Sequence, residues 1–75
     1  MKCVVKLIWN EEDNFWYSKS MDKRFGLTLE SNSLDVLIEK VKIAAPEMLE
    51  LIGCTGEIDL SFEIERVDKI KVMAS

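Results

Sequence analysis

Between Ser33 and Gly53, apolar residues recur at steps of three and four: Leu34, Leu37, Ile38, Val41, Ala44, Ala45, Met48 and Leu51, with Glu39, Lys40, Lys42, Glu47 and Glu50 mostly off that stripe. This spacing predicts an amphipathic helix with one buried face. Ser33 suits the N-cap, Asp35 complements the positive end of the dipole, and Gly53 suits the left-handed residue that stops a helix. Pro46 stands against the pattern. In mid-helix it removes a hydrogen bond and clashes with the carbonyl four residues back, at roughly 3 kcal/mol, so a kink or a second helix is expected there.

Everything around that segment reads as strand. Residues 2–9 alternate, with Cys3, Val5, Leu7 and Trp9 on the face expected to be core and Lys2, Val4, Lys6 and Ile8 on the other. Asn10 to Asn14 is a turn-rich loop of hairpin length, and Phe15 to Ser20 is the returning strand. Its expected phase turns Trp16, Ser18 and Ser20 inward, where the small serines let a helix approach, and Phe15 and Tyr17 outward; the opposite phase is the alternative. Met21 to Gly26 is a polar connection, and Leu27 to Glu30 a short third strand. After the helix, Thr55 and Gly56 turn the chain. Ile58, Leu60, Phe62 and Ile64 then alternate with Glu57, Asp59, Ser61, Glu63 and Glu65, the pattern of a half-buried strand. Arg66 and Asp68 interrupt this phase and Ile70 and Val72 resume it, so the tail either extends the strand or folds back along it.

The order β-β-β-α-β defines an α+β domain. A right-handed crossover puts the fourth strand parallel to the first, giving a four-stranded sheet of order 3-2-1-4 with one kinked or broken helix on one face. The other face stays bare. It carries Val4, Ile8, Phe15 and Tyr17 with Lys6 and Lys19 among them, and an exposed apolar cluster of this kind marks an interface.

Composition narrows the class. Seventy-five residues make a single domain, 1–75, that buries only about 60% of its unfolded surface. Dimerisation would help so thin a core. Hydrophobic content of 48% beside 32% charged residues excludes disorder. A net charge of −4 works against a nucleic-acid backbone and suits a basic protein partner. MKCVVKLIW has too short an apolar run, broken by Lys6, for a signal peptide or membrane span, so a cytoplasmic protein without membrane contact is expected. Cys3 and Cys54, with no His in the chain, indicate neither a zinc site nor a disulfide scaffold and read as reduced structural thiols.

The succession Lys2–Val5 and Trp9, Glu12–Asp13, Trp16, Ser20, Asp22, Gly26–Leu27, Glu30, Ser33–Leu34 and Ala44–Ala45–Pro46–Glu47–Met48–Leu49 resembles, over most of the chain, the small HicB-like proteins of bacterial toxin–antitoxin systems, whose short stand-alone members include domains of unknown function. The family typically has proline before the loop glycine where this chain has Phe25, so a different loop backbone is expected there. The resemblance implies a truncated ribonuclease H-like fold, in agreement with the topology above. It also implies masking of a small basic HicA-like RNA-cleaving toxin by protein–protein contact, and no catalysis. Full-length antitoxins of this kind usually carry a further C-terminal DNA-binding element. Past Ile64 eleven residues remain, too few for one, so direct repression is not expected.

Catalytic readings are weaker. A ribonuclease H-type nuclease needs several carboxylates converging on metal, one of them in the first strand, and residues 2–9 contain none; Glu39, Asp59 and Glu63 then read as surface acids. Without His, no Cys or Ser has its customary base. No catalytic, metal or cofactor residue is therefore assigned. Trp9 and Trp16 read as core anchors, since no basic groove accompanies them. Glu11, Glu12 and Asp13 form an acidic hairpin tip that either meets a basic partner or keeps the loop soluble. Ile70 and Val72 are candidates for self-association, through strand edges or the bare sheet face, into a homo-oligomer, a dimer being favoured. The alternatives to the antitoxin are an orphan homo-oligomeric interaction domain without a toxin and a residual metal-dependent nuclease.

Overall fold

Alternation and capping signals become five elements in the computed structural model, which describes residues 2–24 and 26–74: β1 (Lys2–Asn10), β2 (Phe15–Ser20), β3 (Glu30–Ser31), α1 (Leu34–Leu51) and β4 (Asp59–Glu65). Phe25, where a departure from the family loop is expected, lies outside the described residues. The strands form one mixed sheet of order β3-β2-β1-β4, with β1 antiparallel to β2 and parallel to β4. The architecture is the α+β arrangement expected, with order 3-2-1-4.

Register sorts the side chains. Leu7 pairs with Ser18 and Trp9 with Trp16, while Cys3, Val5 and Leu7 pair with Leu60, Phe62 and Ile64. Odd residues of β1 and even residues of β2 and β4 therefore share the face that α1 covers. Cys3, Val5, Leu7, Trp16, Leu27, Leu37, Val41, Ala45 and Leu49 make the buried core, with Ser18 among them. The inward phase of β2 is the one expected.

Three details differ. The helix runs unbroken through Pro46, and no second helix starts there. Val41, Ala45 and Leu49, buried on both sides of the proline, hold the two halves to one sheet. Leu51, expected on the buried stripe, is exposed, and Leu49, four residues after Ala45, takes that place. β3 comprises Glu30–Ser31 instead of Leu27–Glu30, because a side chain holds the preceding stretch. Ser18 Oγ donates to the Leu27 carbonyl at 3.0 Å and accepts from the Leu29 N–H at 2.8 Å.

The helix ends are built as capping chemistry requires. Ser33 Oγ accepts from the Val36 N–H, and Asp35 lies in the first turn. At the other end Cys54 N–H donates to the Leu49 carbonyl and Gly53 N–H to that of Glu50, with Gly53 at φ +80°, which is a Schellman motif.

Beyond Glu65 the chain leaves the sheet. Residues 66–74 have no regular structure, and Val67, Ile70, Val72 and Met73 are exposed, so the tail neither continues the ladder within its own sheet nor folds back over the core.

Candidate functional site

The sheet face opposite α1 is the first candidate. Val4, Ile8, Phe15 and Tyr17 all lie there, half-buried, as the alternation predicts. Ile8 pairs with Tyr17 across β1 and β2, and Phe15 packs on Tyr17 with ring centroids 6.1 Å apart. The next row is basic, Lys6 opposite Lys19, and Lys6 Nζ donates to Glu65 Oε1 of β4 at 3.0 Å. This hydrogen bond, reinforced by the carboxylate charge, raises the Lys6 pKa. Register places Glu30 beside Tyr17 on β3, and Asp59, Glu63 and Glu65 along β4 on the same face. The apolar residues, crossed by the Lys6–Lys19 row, thus lie between Glu30 on the β3 edge and Asp59, Glu63 and Glu65 along the β4 edge.

The hairpin tip adds charge at one end, and its three acids are not equivalent. Glu12 and Asp13 point to solvent, whereas the Glu11 carboxylate accepts from the Lys69 N–H at 3.3 Å and so holds the tail. The turn has a local cause: Asn10 Oδ1 accepts from the Asp13 N–H, and Asn14 takes a positive φ of 56°.

Arg66 was not foreseen. Its guanidinium lies 4.5 Å from the Trp9 ring centre and 5.7 Å from that of Trp16, the two indoles themselves being 5.2 Å apart, and it also donates to Asp68 at 2.8 Å. Of the two residues that break the apolar phase of β4, Arg66 therefore caps the tryptophan pair at the hairpin end of the core and Asp68 holds its guanidinium. Trp9 and Trp16 serve as packing anchors there.

At the opposite end, Arg24 grips Asp22, with Nη2 to Oδ2 at 2.6 Å and Nε to Oδ1 at 3.0 Å. Hydrogen bonds from the Arg24 side chain and backbone hold the Asp22 carboxyl down at about 2. Burial pushes the Cys3 thiol up, as suits a structural cysteine, and both thiols are free.

The second candidate was not legible in the sequence. A groove of about 470 Å³ runs between the second half of α1 and the start of β4, walled by Ala45, Pro46, Leu49, Cys54, Ile58 and Leu60. Its only hint was Pro46, which has no N–H for the Lys42 carbonyl on the same wall.

The acids that a nuclease would use are dispersed. Asp59 and Glu63 face the bare side of the sheet, while Glu39 sits on the helix that covers the other side and pairs with Lys42 at 3.2 Å. Among the described residues no group of three or more His, Cys, Asp or Glu is placed to hold a metal ion, and no helix is long and apolar enough to cross a membrane.

Fold and faces together define a two-layer α+β domain, a mixed four-stranded sheet with one helix and two unfilled surfaces. The chain belongs to the family described as a domain of unknown function, DUF1902, whose model matches residues 2–74. Its structure is similar to the crystal structure of hypothetical protein TTHA1013 from the extremely thermophilic bacterium Thermus thermophilus, with 26% sequence identity, a TM-score of 0.68, and coverage of 96% of this chain and 100% of that one. No curated protein matches the sequence.

Proposed function

We propose that this chain is a non-catalytic, HicB-like binding module that masks a small basic RNA-cleaving toxin by protein–protein contact in the cytoplasm. The observation that carries the reading is the bare sheet face: Val4, Ile8, Phe15 and Tyr17, with Lys6 and Lys19 among them, between Glu30 on one edge and Asp59, Glu63 and Glu65 on the other. Such a face suits a partner whose basic residues surround an apolar patch. The aromatic centre would supply affinity and the acidic rim would steer encounter. Glu12 and Asp13 extend the acidic rim at the hairpin tip. The resemblance in the loop and helix motifs supplies the toxin as partner, and the sheet order is that of a truncated ribonuclease H-like fold.

Affinity capture from the native cell followed by mass spectrometry tests the reading. A small basic protein should be recovered with the wild-type chain, released by raised salt, and lost with Tyr17→Ala or Val4→Glu. Recovery of that protein by both variants would move the interface elsewhere. Recovery of no such protein would favour a domain that contacts only copies of itself.

A further inference from the structure

β4 has an open edge. β1 pairs with one side of it and, among the described residues, no strand pairs with the other. Such an edge is a template for another chain. The helix does not shelter it, since α1 approaches β2 and β3 most closely. Between α1 and the start of β4 this leaves the apolar groove, while Ile64, at the other end of the strand, is 56% exposed.

The tail supplies matching apolar surface. Ile70 and Val72 are 81% and 86% exposed, yet the root of the tail is held by Arg66 over Trp9 and by Lys69 on Glu11. The molecule is 59 Å long. The radius of gyration is 15.2 Å, where a compact chain of this length has about 11 Å. The accessible surface is 5729 Å², where a compact monomer of 8.6 kDa exposes about 4,700 Å². The excess of about 1,000 Å² is close to the roughly 800 Å² that each partner contributes to a stable interface.

We propose that two copies pair antiparallel along their β4 edges, and that each tail lays Ile70 and Val72 into the other copy's groove. Direction follows from position. The tail leaves β4 at its hairpin end, the groove lies at the start of β4, and the held root keeps a tail from reaching its own groove. Only a partner running the opposite way brings the two together, and a two-fold axis then closes the assembly. Phase follows from parity: Ile58, Leu60, Phe62, Ile64, Ile70 and Val72 are all even-numbered, and pairing centred on Phe62 keeps them on one face. Within β4 this register sets Ile64 of one copy beside Leu60 of the other, and it carries each tail past the start of the partner's β4, where Leu60, Ile58 and Cys54 line the groove. This surface lies on the helix side and along one edge, distinct from the strip around Tyr17.

Sedimentation equilibrium at tens of micromolar should show a dimer for the full chain. At least tenfold weaker association is expected for the doubly substituted Ile70→Asp/Val72→Asp chain, whose far-UV circular dichroism should be unchanged because both side chains are exposed. Mild oxidation of Ile70→Cys should give a disulfide-linked dimer that disappears when Cys54→Ser is added, while Tyr17→Ala stays dimeric. A full-length monomer at these concentrations overturns the proposal. So does a dimer whose strength ignores the two aspartates, or one in which the Ile70→Cys link survives Cys54→Ser.

Discussion

Single side chains decide several features that no pattern displays. Ser18 and Ser20 are the small inward residues of β2, and the Ser18 hydroxyl fastens Leu27 and Leu29 to the sheet edge. Ser18→Ala should strand the buried Leu27 carbonyl and the half-buried Leu29 amide and cost about 1–3 kcal/mol, read as a lower urea midpoint. A neutral result would mean that Ser18 N–H to the Leu29 carbonyl suffices. The Asp22–Arg24 pair makes a pH prediction. The folded pKa, about 2, lies below the ordinary value of 3.8, so its contribution is complete above 3.8 and is lost as pH falls through the folded value. Arg24→Ala should return the Asp22 carboxyl toward 3.8 in a side-chain NMR titration and flatten the acid limb of stability in that window. An unmoved titration would show that the backbone N–H of residue 24 alone lowers it.

At the scale of elements, α1 is the test case. Val41 is fully buried in the middle of its face, so Val41→Ala should cost about 1–3 kcal/mol and shift the denaturation midpoint with little change in slope. Pro46 is tolerated because packing before and after it keeps the helix on one sheet, although it withholds a donor. Pro46→Ala should therefore restore the hydrogen bond to Lys42 and raise the thermal midpoint, by up to about 3 kcal/mol in stability. A fall would show that the ring's contacts on the groove wall outweigh the missing bond.

For the molecule as a whole, the question is whether surfaces or chemistry define its role. The carboxylates sit on opposite sides of the sheet and β1 carries none, so purified protein with magnesium or manganese should leave labelled RNA intact. Cleavage that copurifies and vanishes in Asp59→Ala would reverse the reading.

The alternation of β1 and β4 and the stripe of α1 were enough to determine the inward phase of those two strands and the place of the helix, because half-burial imposes a period of two on strands and about 3.6 on helices. The right-handed crossover added the sheet order, and the phase of β2 was favoured by its small serines but left open until the structure. The bare face with Val4, Ile8, Phe15 and Tyr17 followed from the same count, one helix being too little to cover both sides. Tertiary structure alone decided the rest. The choice of Leu49 over Leu51 turned on where the helix meets the sheet: Leu49 continues the row of Leu37, Val41 and Ala45 at steps of four, whereas Leu51, two residues on, lies about 200° further round the helix. The displacement of β3 came from a hydroxyl on another strand, and Arg66 found its tryptophans only once β4 lay parallel to β1. The groove beside Pro46 exists because α1 leans toward β2 and β3, away from β4, and no local pattern records how far a helix leans.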